Sequence, residues 1–317
     1  MSQGSKSFSG LFYLLSIIGT ALFFVISALP GGFGWLYFLT PLPVIYFISI
    51  LGVNRGLKII LYAVSLAVII TLAAGGIQSL LYALSLIPTG VVLAGSINRR
   101  EQVFRSGLIS FITIGLSWLI LGLFFSTFNH VNIYQGVLQN IDTGLTNAFD
   151  TYSKSPDFPA DSKAELQAVF TKMRQIVPQI FPGTLMISAI FTVWLNMLLI
   201  NGILKKNQIP AWEDFQFWHL PESLIWFLIV GILLSFIPGG FLHILGINTV
   251  LVLSALYFFQ GLAVVTNLFG KWSIPRPIKF LIFFVITIQA YGIILLALLG
   301  VADIWVNFRK PKLESTK

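Results

Sequence analysis

Long apolar runs alternate along this chain with short glycine-marked turns on one side and short basic links on the other. Nine runs stand out, at about 9–29, 34–51, 57–74, 77–97, 106–128, 183–204, 222–238, 243–269 and 278–302. Roughly 20 apolar residues in a helix cross about 30 Å of hydrocarbon, where only a closed internal hydrogen-bond ladder satisfies the backbone. The pattern predicts an all-α fold, a polytopic transmembrane helical bundle of 8 to 9 spans. The first run resembles a secretory leader, but more apolar runs follow it, so it reads as an uncleaved span.

One stretch departs from that pattern. Tyr134, Leu138, Ile141, Leu145, Phe149 and Tyr152 recur at helical spacing with polar residues between them. After a turn at 155–159, Ser162 and Glu165 form a capping-box start, followed by an apolar stripe of Leu166, Val169, Phe170, Met173, Ile176, Val177 and Ile180. This amphipathic helical hairpin either buries its stripes on itself or on the spans, or serves as an interfacial lid or docking element. The expected organisation is a five-span region at 1–128, the extracytoplasmic hairpin at 129–181, a C-terminal membrane region at 182–310 with an interfacial loop at 207–223, and a basic tail at 311–317.

Composition agrees with lipid as the solvent: 56% of residues are hydrophobic and 9% charged, too few for a water-soluble surface. The net charge of +8 sits in small groups beside apolar runs, which fits the positive-inside rule and not a nucleic-acid partner. With the N-terminus inside, Lys6, Arg55, Lys58, Arg99, Arg100, Arg105, Lys205, Lys206, Lys271, Arg276 and Lys279 all fall inside. Nine crossings would then leave Arg309, Lys310, Lys312 and Lys317 outside, against the rule. Either the last run enters and returns, or 222–238 fails to span, and a cytoplasmic tail is the favoured reading. The expected location is the cytoplasmic membrane. The chain has no cysteine, which excludes disulfides and thiolate chemistry.

No phosphate-cradling glycine loop, HExxH or GxSxG pattern is present, and His130, His219 and His243 are far apart. No catalytic residue, metal or cofactor is expected, and the chain is not read as an enzyme. The middles of the runs carry no Asp, Glu, Lys or Arg, which disfavours carboxylate-coupled antiport. Their polarity is neutral. Thr249, Gln260 and Asn267 share a helical stripe, Thr192 and Asn196 lie one turn apart, and Gln289 adds another amide. Such groups either bond helix to helix or line a cavity for a small neutral or zwitterionic solute. Asn196, Thr249, Gln260, Asn267 and Gln289 are therefore the ligand-binding candidates.

Trp212 and Trp218 belong to an aromatic loop suited to the headgroup zone or to a membrane or cytoplasmic protein partner. At the chain's end, Trp305 is placed at the headgroup boundary with Arg309 reaching anionic lipid. The rival is that Asp303 is held by a basic residue of another loop, such as Arg276 or Arg100, and locks the bundle. Gly90 with Ala94, and Gly115, read as close-packing positions.

Phe259-Gln260-Gly261-Leu-Ala-Val-Val, then Gly300-Val-Ala-Asp303-Ile-Trp305-Val-Asn307-Phe308-Arg309, resembles the YybS family of bacterial multi-pass membrane proteins. In that family an acidic residue is frequent where this chain has Asn307, which implies that a second carboxylate there is not essential. The architecture so implied is similar in outline to the substrate-binding subunits of energy-coupling-factor vitamin transporters, although the first span lacks their small-xxx-small alanine docking motif. Two functional expectations result. One is a transporter-like or small-solute-binding membrane subunit without its own ATP site; the other is a membrane scaffold or assembly factor.

Overall fold

Chains that lie in lipid pair their backbone groups within helices, and every regular element among the described residues is helical. The computed structural model describes residues 10–29, 32–74, 76–129, 133–154, 163–209 and 211–309. Lys6, His130, the 155–159 turn, Ser162 and the tail from 310 lie outside the described residues.

Among those residues, seven stretches are long and apolar enough to cross a membrane. They are α1 (Gly10–Ser27), a 3-10 turn running into α2 (Pro41–Leu51), α3 (Val53–Ala74), the pair α4 (Ile77–Leu84) and α5 (Ile87–Asn98), α6 (Val103–Asn129), α8 (Lys163–Lys206) and α10 (Gly240–Lys271). Between α6 and α8 comes α7 (Ile133–Ser153). Large apolar side chains face outward on successive spans, as Leu61, Ile69, Ile120 and Leu295 do, a surface that only lipid covers without cost.

Two of the nine runs depart from expectation. The run at 222–238 yields only α9 (Leu224–Ser235), whose 12 residues extend about 18 Å, short of the hydrocarbon thickness. The run at 278–302 is not one helix but two, α11 (Arg276–Ile288) and α12 (Ala290–Val306), bent by 103°. Gln289 breaks it with extended backbone (φ −86°, ψ 126°). Counting that pair as one span raises the total to eight.

The chain forms two compact units. The first combines Met1–Leu121 with Ala189–Asp214. Phe24, Ile45, Ile48, Leu80, Leu93 and Ile200 are buried in it. Its helices approach closely at Gly56, where a Cβ would lie 2.7 Å from Ile48 Cα, and at Gly90, 2.7 Å from Val44 Cβ. Gly115, in contrast, meets nothing within 4 Å.

The second unit combines Gly122–Ser188 with Phe215–Lys317. In its hairpin, α7 packs on the start of α8 through Phe149 and Phe170, and Arg174 pairs with Asp142 at 2.9 Å. The stripe read on α8 divides, leaving Val169, Met173 and Ile176 exposed. In the membrane part, α9 packs antiparallel to α10, with Thr249 against Gly231 and Ser235 against Gly246. Ile225, Leu228, Leu253 and Tyr257 form the core there, flanked by Val301 and Ile304 of α12.

Candidate functional site

α10 and α12 touch backbone to backbone. Gly261 lies against the Leu296 carbonyl and Gly300 against the Tyr257 carbonyl, so no side chain fits at either position. Gln260, beside this contact, is buried, and its amide is fully engaged: it donates to Gly300 O (3.1 Å) and Asp303 Oδ2 (3.2 Å) and accepts from the Leu220 N–H (3.1 Å). Three chain segments therefore meet on one amide.

α12 ends on Asn307, whose left-handed backbone (φ 47°, ψ 65°) is one that asparagine and aspartate tolerate better than most residues. That turn folds the chain back over the helix end. The Phe308 N–H reaches Asp303 Oδ1 (3.1 Å), and Arg309 pairs with Asp303 Oδ2. The guanidinium also donates to the carbonyls of Trp218 (2.6 Å) and Gln216 (3.3 Å), and to His219 Nδ1 (2.8 Å). The Asp303 and Arg309 side chains are 0% and 2% exposed. A buried pair is held in place by its hydrogen bonds as much as by Coulomb attraction, since the desolvation of both charges must be offset.

His219 is the solvent-reachable member of the cluster. Nδ1 accepts from the guanidinium, so the ring there is unprotonated. Burial first, and then the Arg309 charge, hold its pKa below the usual 6.5, partly opposed by Asp303 at 4.0 Å. What the cluster does is mechanical and electrostatic. It fastens residues 216–220 to α10 and to the end of α12. No group of three or more His, Cys, Asp or Glu suited to a metal occurs among the described residues.

Residues 18–304 match a family described as "Predicted membrane protein (DUF2232)". The chain belongs to the DUF2232 family. No curated protein and no solved structure matches it. The family match includes Gln260 and Asp303 and stops before Arg309.

Among the ligand candidates of this DUF2232 chain, Asn196 is fully buried in the first unit, donating to Phe38 O (2.6 Å) and Thr192 O (2.7 Å), while its Oδ1 has no hydrogen-bond partner. Thr249 bonds its own helix at Leu245 O (2.8 Å). Asn267 is buried with Oδ1 unpartnered. Gln289 is exposed at the helix break. Thr249, Gln260 and Asn267 are spread along α10, and only Gln260 enters the cluster.

Trp212 belongs to the first unit, where Nε1 donates to Ser106 Oγ (3.1 Å) and its N–H to Asn201 Oδ1 (3.2 Å). Trp218 is buried beside Phe215, ring centroids 5.3 Å apart. Trp305 is 69% exposed, as an interfacial anchor requires. Two expectations change. Arg309 faces inward and does not reach lipid, and the basic partner of Asp303 is Arg309, from the same end of the chain, where one from another loop was expected. His219, the turn at Asn307 and the Gln216 carbonyl were not picked out from sequence. The one usable signal was a histidine within a loop already dense in aromatic residues.

Proposed function

We propose that this DUF2232 protein is a non-enzymatic, small-solute-binding subunit of transporter type in the cytoplasmic membrane. The observation that supports it is the break at Gln289 inside an otherwise apolar stretch. Backbone released from a helix at membrane depth needs polar company, and discontinuous helices are where transporters place their solute sites. Gln289 is the sole amide side chain between Pro277 and Ala302, and no charged residue occurs from 280 to 302, so the solute class is small and uncharged or zwitterionic. A partner or a gradient supplies the energy. Gln260 is not part of this site, because its amide is already satisfied internally.

The test is mass spectrometry of small molecules released from protein purified in mild detergent. One reproducible neutral or zwitterionic species is expected, and it should be lost from Gln289→Leu. Retention of that species at wild-type level by Gln289→Leu would remove the break from the site.

A second reading, a scaffold for a protein partner, is favoured by one observation: the 216–220 segment is pinned by three interactions of Arg309 and is thus preformed as a surface. Crosslinking from His219 should then recover a single reproducible protein.

A further inference from the structure

α10 and α12 run in the same direction. Tyr257 meets Gly300 in the middle of the pair, and farther along both helices Lys271 Nζ donates to Phe308 O at 3.1 Å. Advancing along one therefore advances along the other. Had the run from 278 to 302 crossed the membrane as one span, α12 would run antiparallel to α10. Instead α11 and α12, about 20 and 25 Å long from their 13 and 17 residues, leave one end of α10 and return to that same end.

The aromatic loop reaches this end as well. α9 is antiparallel to α10, Gln216 Oε1 lies 3.5 Å from where a Cβ of Gly270 would be, and the Gln216 carbonyl receives Arg309. Trp272 and Trp305, 65% and 69% exposed, edge the same end, where rings with one polar edge favour the headgroup zone.

We infer that α11 and α12 form a re-entrant pair, and that the 215–223 loop and the 271–279 link make one tryptophan-edged basic surface facing anionic lipid headgroups. The charge supports that occupant. These two segments carry Lys271, Arg276 and Lys279 against Glu222 alone. Topology agrees. Six crossings up to α8 return the chain to the side of its N-terminus, the antiparallel α9 and α10 go out and back, and the re-entrant pair adds no crossing. Every basic link and the end of α12 then share the cytoplasmic side, and the conflict that nine crossings create disappears.

The inference is independent of any solute. Because the chain has no cysteine, Ser273→Cys and Ser315→Cys can each be the single thiol in an otherwise unaltered protein. In intact cells both are expected to resist a membrane-impermeant maleimide and to react after permeabilisation. Reaction from opposite sides would overturn the re-entrant pair, and reaction of both from outside would overturn the cytoplasmic surface. For the lipid, phosphatidylglycerol is expected to raise the melting temperature of the detergent-purified protein above the value in phosphatidylcholine, an excess lost in Arg276→Gln with Lys279→Gln. Equal shifts from the two lipids would overturn the headgroup assignment.

Discussion

Asp303 and Arg309 cannot be judged as an isolated pair, because the guanidinium is surrounded by acceptors from another segment. Asp303→Asn leaves a cation that is 2% exposed without its counter-charge, and a loss of about 3–5 kcal/mol is expected in denaturant or thermal melting in detergent. Reversing both charges, Asp303→Arg with Arg309→Asp, should not restore stability. The carbonyls of Trp218 and Gln216 would then face a carboxylate. Recovery to near wild type would mean that simple charge pairing is all that matters there.

His219 adds a pH dependence whose sign is fixed. Its folded pKa lies below 6.5, so on acidification the unfolded chain takes up the proton first. The stability it contributes is complete above about pH 6.5 and declines as pH falls from there toward the folded pKa. The charged groups acting on the ring are Arg309 and Asp303, while α10 offers the neutral Gln260. Melting temperatures measured from pH 8 to pH 5 should fall more for wild type than for His219→Gln, and identical slopes would exclude His219 as the cause. Sequence singled out Gln260, Asp303 and Arg309 but not their union. A separation of six residues is not a helical contact spacing, and the pair forms only because Asn307 turns the chain back on itself.

At the scale of the element, α8 is the informative case. It stays helical for 44 residues through Pro178 and Pro182, although proline removes a donor and crowds the preceding turn. Asn248 of α10 supplies the repair. Its Oδ1 accepts from the Gly183 N–H (2.5 Å) and its Nδ2 donates to Gln179 O (2.7 Å), the two groups that an unbroken helix would join to each other. Gly183 has no room for more, since a Cβ would lie 2.6 Å from Asn248 Oδ1. Asn248→Leu should cost about 1–3 kcal/mol by leaving a buried N–H and a half-buried carbonyl unpaired. Gly183→Ala should act through the same bridge, so the double variant should lose less than the sum of the singles. Strict additivity would show that the bridge is not what the two residues share. The sequence suggests a boundary near these prolines, between hairpin and span. The amide that carries the helix across them comes from 65 residues away and leaves no local trace.

At the scale of the molecule, linear order and compact units do not coincide. Hydropathy reveals spans one at a time, because burial in lipid is a property of each helix alone; which helices share a core depends on side-chain fit and is invisible to it. The second half of α8 is a case in point. Ala189, Val193, Met197, Ile200 and Leu204 recur at helical spacing and are almost wholly buried in the first unit, so that unit lacks part of its core until the chain has passed residue 204. The second unit likewise includes α7 and the start of α8, which lie far ahead of α9 to α12. A break between α7 and α8 therefore leaves neither fragment with a complete unit. Expressed as separate chains, 1–158 and 159–317 should each be degraded when alone and should accumulate and copurify when produced together. The driving force is the dispersion contact that the α8 stripe makes in a core it would otherwise leave hollow. Accumulation of 1–158 alone at the level of the intact protein would show that the first five spans close a core without α8.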